Sequence, residues 1–179
     1  MKTNVIEFLV KRIAYGSEEI DLVFGDTTLS FLASYIGREP VSGLIRAAAT
    51  LPVWEHAELT WLDEPGYLKT EFRLDSLSGR LSVDIEMEDT MPEDAESPEK
   101  FHFVTDYEVF KEAVIKVALN VLKTYGMIGF MQSWSERTET FPVAELLSLM
   151  GGQSSQHEKS DSFRSNIKDE LQLLMNAVS

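Results

Sequence analysis

The chain has 179 residues, and 52 of them are Leu, Ile, Val or Phe, which is too rich in large apolar groups for disorder and long enough to bury a core without cross-links. There is no cysteine, so disulfides, thiolate metal sites and thiol nucleophiles are excluded. With 30 Asp and Glu against 16 Lys and Arg, the formal net charge is −14, and that charge repels phosphate backbones and anionic lipid; no direct nucleic-acid or membrane binding is expected.

The expected elements run in chain order as follows. Residues 5–13 are mostly β-branched or large apolar and read as a strand, with a short helix as the alternative. Gly16 and Ser17 break it. Ile20, Leu22 and Phe24 then alternate with polar neighbours, Gly25 and Asp26 supply a turn, and Leu29, Phe31, Ala33 and Tyr35 alternate again, which predicts a hairpin. Pro40 opens a helix carrying Leu44, Ile45, Ala48 and Leu51, and Pro52 is expected to stop it.

Three further strands follow. Ala57, Leu59 and Trp61 alternate, Pro65 and Gly66 turn the chain, and Leu68, Thr70, Phe72 and Leu74 form one face of the next strand. Leu81, Val83, Ile85 and Met87 form the third. Opposing Asp75 with Arg80 brings Leu74 to Leu81 and Phe72 to Val83, so every apolar residue falls on one face, whereas an odd shift would turn one strand inside out.

Residues 101–104 make a short last strand, and Thr105 with Glu108 fits a capping box opening the longest helix. Phe110, Ala113, Val114, Val117, Val121 and Tyr125 are its main apolar stripe, widened by Ile115, Ala118, Leu119 and Leu122, and Gly126 suits its C-terminal stop. Gly129, Phe130 and Trp134 then lie in an aromatic connector. Phe141 and Pro142 lead to a short helix through Leu149, ended by Gly151 and Gly152. Residues 151–162 read as a flexible linker, and Phe163, Ile167, Leu171, Leu174 and Val178 as an amphipathic helix over 163–179.

Known catalytic spacings are missing. Neither a phosphate-cradling glycine loop nor a nucleophile elbow occurs, and His56, His102 and His157 lack partner histidines at metal-binding spacing. No cofactor and no metal site are therefore expected. Asp63 and Glu64 form a carboxylate pair before a turn that Pro65 and Gly66 explain by themselves; an enzyme using such carboxylates with a divalent ion is the alternative reading.

Acid is concentrated in one place. From Asp84 to Glu99 stand eight carboxylates and no cation. Asp84, Glu86 and Glu88 alternate on the polar face of their strand, and Glu71 across from Asp84 adds repulsion, so this face is expected to project outward without pairing internally. The segment either blunts a strand edge or meets a basic partner. The candidate partner-binding residues are Asp84, Glu86, Glu88, Asp89, Glu93, Asp94 and Glu96, with Trp54 and Trp134 as aromatic contacts from connectors. Trp61, on the apolar strand face, is assigned to the core.

The runs Ser34-Tyr35-Ile36-Gly37 leading to Pro40, Trp61-Leu62-Asp63-Glu64-Pro65-Gly66, and Gly126-Met127-Ile128-Gly129-Phe130 through Trp134 to Phe141-Pro142 resemble small acidic bacterial proteins, some of which are similar to immunity proteins of contact-delivered toxin systems. The resemblance covers about residues 20–150 and implies a cytoplasmic binding protein; it gives no residue a catalytic role. The chain is thus expected to be one α+β domain over residues 1–150, with an antiparallel sheet of five to seven strands and helices on one face. Its expected function is non-catalytic protein binding or inhibition of a basic partner such as a toxin; a structural or adaptor subunit that homo-oligomerises through the terminal helix is a further alternative reading.

Overall fold

The computed structural model describes residues 6–14, 16–34, 39–63, 66–88, 98–133, 141–151 and 175. The class is α+β, with strands β1 (Ile6–Ala14), β2 (Ser17–Phe24) and β3 (Thr27–Ser34), helix α1 (Pro40–Trp54), strands β4 (His56–Asp63), β5 (Gly66–Asp75), β6 (Arg80–Glu88) and β7 (Glu99–Asp106), and helices α2 (Tyr107–Ser133) and α3 (Val143–Leu149). The expectation of a single sheet is corrected: two antiparallel meanders form, β1-β2-β3 and β4-β5-β6-β7. Between β3 and β4 the chain makes a helix, and these strands meet through side chains, with the Phe31 ring stacked 5.2 Å from Trp61. Nor do both helices cover one face; α2 packs on β1 and α1 on β4 and β5.

The register of β5 and β6 follows the alternation, since Asp75 opposes Arg80, Leu74 opposes Leu81 and Phe72 opposes Val83. Leu68, Phe72, Leu81, Val83 and Ile85 are buried on the inner face. In the other meander Ile20, Leu22 and Phe24 do the same. Aromatic rings join the layers: Phe110 of α2 touches Phe8 at 6.0 Å and Phe72 at 5.2 Å, while Phe24 stacks on Phe103 at 4.3 Å. One continuous apolar core results. Gly43 permits the close approach of α1 to β4, because a Cβ there would stand 3.3 Å from Leu59 Cδ2 and 3.7 Å from Trp61 Nε1.

Pro52 does not stop α1. A proline inside a helix leaves the carbonyl four residues earlier without its donor, and here the Tyr107 hydroxyl donates to that carbonyl, Ala48 O, at 2.8 Å. The helix continues to Trp54 and ends where Glu55, at φ 57°, sends its N–H back to Leu51 O. The expected capping box is also absent. Thr105 and Asp106 remain in β7, Thr105 Oγ1 has no hydrogen-bond partner among the described residues, and the Tyr107 N–H goes to Gly79 O at 2.9 Å.

Gly126 breaks α2 at φ 64° and ψ 171°, a backbone conformation open to glycine, although not the left-handed helical one of the expected C-terminal stop. Helix resumes beyond it, so Gly129 and Phe130 are helical and not part of a connector, and Phe130 is fully buried against Phe141. Tyr107–Phe130 is long and apolar enough to cross a membrane by length and composition; in this fold Phe110, Val114, Val117, Ala118, Val121 and Leu122 of that stretch are core residues. Ile115 and Leu119 are half-buried, so the helix lies at the side of the core. Met175 is helical and exposed; the rest of the expected terminal helix and residues 152–162 of the linker lie outside the described residues.

Phe110 bridges both meanders, so Phe110→Ala should cost about 3–5 kcal/mol in urea denaturation. Leu77→Ala, at a fully exposed turn position, should stay within about 0.5 kcal/mol of the parent.

Candidate functional site

The outer face of the four-stranded sheet is open to solvent, and strand pairing arranges it in rows. Glu58, Glu71, Asp84 and His102 stand side by side across β4, β5, β6 and β7. One neighbouring row is His56, Arg73, Ser82 and Val104, and the other is Thr60, Lys69, Glu86 and Lys100. Like charges directly opposite repel, so the three-carboxylate row depends on cations supplied from the rows beside it.

Arg73 is central. Its Nη2 lies 2.6 Å from Glu71 Oε2 and its Nη1 2.7 Å from Asp84 Oδ2, while His56 Nε2 meets Glu71 Oε1 at 2.9 Å and His102 Nδ1 meets Asp84 Oδ1 at 2.7 Å. Each carboxylate thereby engages both oxygens. Lys69 reaches Glu58 at 3.2 Å. Glu86 accepts from the Tyr67 hydroxyl at 2.8 Å and lies 3.1 Å from Lys100; these two contacts hold the Glu86 carboxyl below its usual value, and the same hydrogen bond pushes the Tyr67 hydroxyl up to about 12.

The expectation that Asp84 and Glu86 project unpaired is therefore corrected. A cation two positions along the strand, or directly opposite, leans over the acidic row. A surplus of acid remains nonetheless: the face carries Glu58, Glu71, Asp75, Asp84, Glu86, Glu88 and Asp106 against Lys69, Arg73, Arg80 and Lys100. Glu88 ends β6 beside Tyr67. Asp89, Glu93, Asp94 and Glu96 lie outside the described residues, as do Glu64 and Trp134. Asp63 is placed at the end of β4.

Trp54 sits in the last turn of α1 and is 73% exposed, beside Val53 at 71%. The β5–β6 turn approaches this corner, because Leu74 N–H donates to Glu55 O at 2.8 Å and the Ser76 hydroxyl bonds the Glu55 carboxylate. Trp54 is thus a helix residue and an exposed aromatic at the margin of the acidic face. A cleft of about 380 Å³ opens between α1 and the start of β4, with Arg46, His56, Glu58 and Glu145 among its walls. One guanidinium and two carboxylates share its lining, so it is not matched to a small ligand of either charge. Among the described residues no group of three His, Asp or Glu is placed to hold a metal ion.

One polar cluster escaped sequence reasoning. Glu18 lies on the inner face of β2 with Ile20 and Leu22 and is fully buried, and Glu39, equally buried, caps α1. Glu39 Oε1 accepts from Val41 N–H at 2.8 Å and Oε2 from Ser42 N–H at 2.6 Å. Neither Glu18 oxygen has a donor among the described residues. Burial pushes the Glu18 carboxyl well above the usual range, and the neighbouring Glu39 charge pushes it further. The signal available in the sequence was the interrupted polarity of β2, where an acid stands at an inward position beside Ile20 and Leu22.

Comparison with family models, with curated proteins and with solved structures gives no match to this chain. The class that fold and surface define is therefore an α+β protein with an acidic, solvent-open sheet face.

Removing Arg73 should leave Glu71 and Asp84 facing each other without their bridge. Its guanidinium is more than half exposed, so Arg73→Leu should cost only about 1 kcal/mol, and thermal melts in about 1 M salt should show a smaller difference.

Proposed function

We propose that the protein is a non-catalytic binding or inhibitory protein of the immunity type, acting in the cytoplasm on a basic protein partner such as a toxin. The carrying observation is the acidic surplus on the open face of β4-β5-β6-β7, continuous in sequence with the carboxylates up to Glu99. A net charge of −14 gives that face a long-range attraction for a cationic protein. Ion pairs within the face hold its side chains in fixed directions before a partner arrives, which lowers the ordering cost of binding. Trp54 at the margin supplies the rigid aromatic contact that charge alone lacks. Nucleic acid, membrane and cofactor have no part in this reading.

The test begins with a pulldown from the source organism, followed by binding kinetics on the recovered partner. Replacing Glu88, Glu93, Asp94 and Glu96 with Lys should slow association by about tenfold or more at low salt and flatten its salt dependence, with the melting temperature little changed. Trp54→Ala should instead raise the dissociation rate. An association rate unaffected by the four-fold reversal at every salt concentration would reduce the acidic surface to a solubility feature.

A further inference from the structure

The corner where α1 hands over to β4 carries apolar surface that the core does not use. Of the seven large apolar side chains exposed among the described residues, Val53, Trp54 and Leu77 stand here, at 71%, 73% and 101%. Pro52, also exposed, precedes them. Trp54 and Leu77 belong to separate segments, and a bond between their neighbours joins these: the Ser76 hydroxyl, one residue before Leu77, donates to the Glu55 carboxylate, one residue after Trp54. Single exposed apolar residues are ordinary, whereas a group of them gathered at one place marks an interaction site.

The backbone of this corner is fixed. Glu55, at φ 57°, donates its N–H to Leu51 O at 2.8 Å and accepts the Leu74 N–H at 2.8 Å. In the turn, Asp75 Oδ1 accepts the Leu77 N–H at 3.1 Å and Oδ2 the Ser78 hydroxyl at 2.5 Å, while Gly79 donates to Asp75 O at 2.8 Å and accepts from Tyr107 at 2.9 Å. A partner thus meets the apolar residues on a backbone that is already ordered, which lowers the entropy lost on binding. With these N–H and C=O groups engaged, the corner offers no edge for strand pairing, and recognition has to run through side chains.

Charge selects the occupant. Strand pairing sets Asp75, Arg80 and Asp106 in one row across the ends of β5, β6 and β7, about 10 Å from end to end at about 4.8 Å per strand. Glu55 lies beside β5 at the same end. Three carboxylates and one guanidinium therefore border the apolar residues, and the Ser78 hydroxyl with the Leu77 N–H holds the Asp75 carboxyl below its usual value. An anionic lipid surface, or a second copy of a chain of net charge −14, is repelled from such a border. An apolar stripe flanked by Lys or Arg is attracted at its edges and buried at its middle.

We infer that the corner formed by Val53, Trp54 and Leu77 is the docking site for a cationic amphipathic helix of a protein partner, which lays its apolar stripe on these side chains and sets Lys or Arg against Glu55, Asp75 and Asp106. The inference rests on the reading of the acidic sheet face as a surface for a basic partner. It separates two roles: the face speeds approach, and the corner holds what arrives.

The probe is a synthetic peptide of about 18 residues, long enough for a helix, with Leu on one face and Lys on the other. It is titrated into the isotopically labelled full chain and followed by amide chemical shifts and calorimetry. Two controls keep one property each, a Ser/Lys peptide the charge and a Leu/Glu peptide the apolar face. The Leu/Lys peptide should shift amides of residues 53–56 and 74–79, and neither control should. Trp54→Ser or Leu77→Ser should weaken its binding by about tenfold at an unchanged melting temperature, since neither side chain belongs to the core. Should Trp54→Ser melt below the parent, Leu77→Ser, at a turn position, carries the test. Equal binding of the Leu/Lys and Ser/Lys peptides, insensitive to both substitutions, overturns the inference while leaving the sheet face as a surface for cations. If neither cationic peptide binds, the inference falls, and with it the attraction to cations on which the functional reading depends. Leu/Glu binding as tight as Leu/Lys, or self-association of the parent in sedimentation that Trp54→Ser abolishes, would show a charge-blind patch or a contact between copies and would overturn it equally.

Discussion

Helix α1 connects the two meanders, and it persists because both of its weak points are met from elsewhere in the chain. At its N-terminus Glu39 turns back to take two free N–H groups. Near its C-terminus Pro52 deprives Ala48 O of a donor, and the Tyr107 hydroxyl, 59 residues away, replaces it. Between these points Val41, Leu44, Ile45, Ala48 and Leu51 are buried. An apolar helix alone would tolerate neither defect well; fixed in this way, it can reach Trp54 and turn directly into β4. The Tyr107 hydroxyl is half-enclosed, and burial with the neighbouring Glu108 charge pushes it up to about 12, so it remains a donor throughout the physiological range.

Strand pairing in β4 to β6 was legible because its period is two and one face is buried: Leu74, Phe72, Leu81 and Val83 admit a single register. The glycine turns at Gly25 and Gly79 and the break at Gly126 were legible for a comparable local reason, since each takes positive φ. What failed was non-local. Pro52 reads as a stop unless Tyr107 is known to be near, and Thr105 reads as a cap until the Tyr107 N–H is seen to bond Gly79 O. Two sheets were read as one because strand periodicity carries no information on which strands pair across α1.

For the candidate surface the residue types were legible and their neutralisation was not. Alternation placed Asp84, Glu86 and Glu88 on one polar face, as found, but pairing of Asp84 with Arg73 and His102 depends on which rotamers meet across β5, β6 and β7. Glu18 was passed over for the opposite reason. An acid in a strand is ordinarily assigned to solvent, and the inward register that Glu18 shares with Ile20 and Leu22 is seen only once β1 and β3 are paired on either side of it.

The division into two meanders also bears on how the chain reaches this state. Every hydrogen-bonded strand pair joins neighbours in sequence, so each sheet can zip outward from its own turns with little loop-closure entropy. Contacts of helix α2 with the first meander are of another kind. Ile13 and Tyr125 stand 112 residues apart, and Gly16 N–H reaches Ser133 O at 2.9 Å only when the end of α2 has returned to the first hairpin. Formation of the hairpins is thus separable from their docking, and the aromatic bridge through Phe110 belongs to the later event. A chain paused before that event would carry two formed sheets with their inner faces uncovered, and this intermediate, more than either end state, is where aggregation would begin.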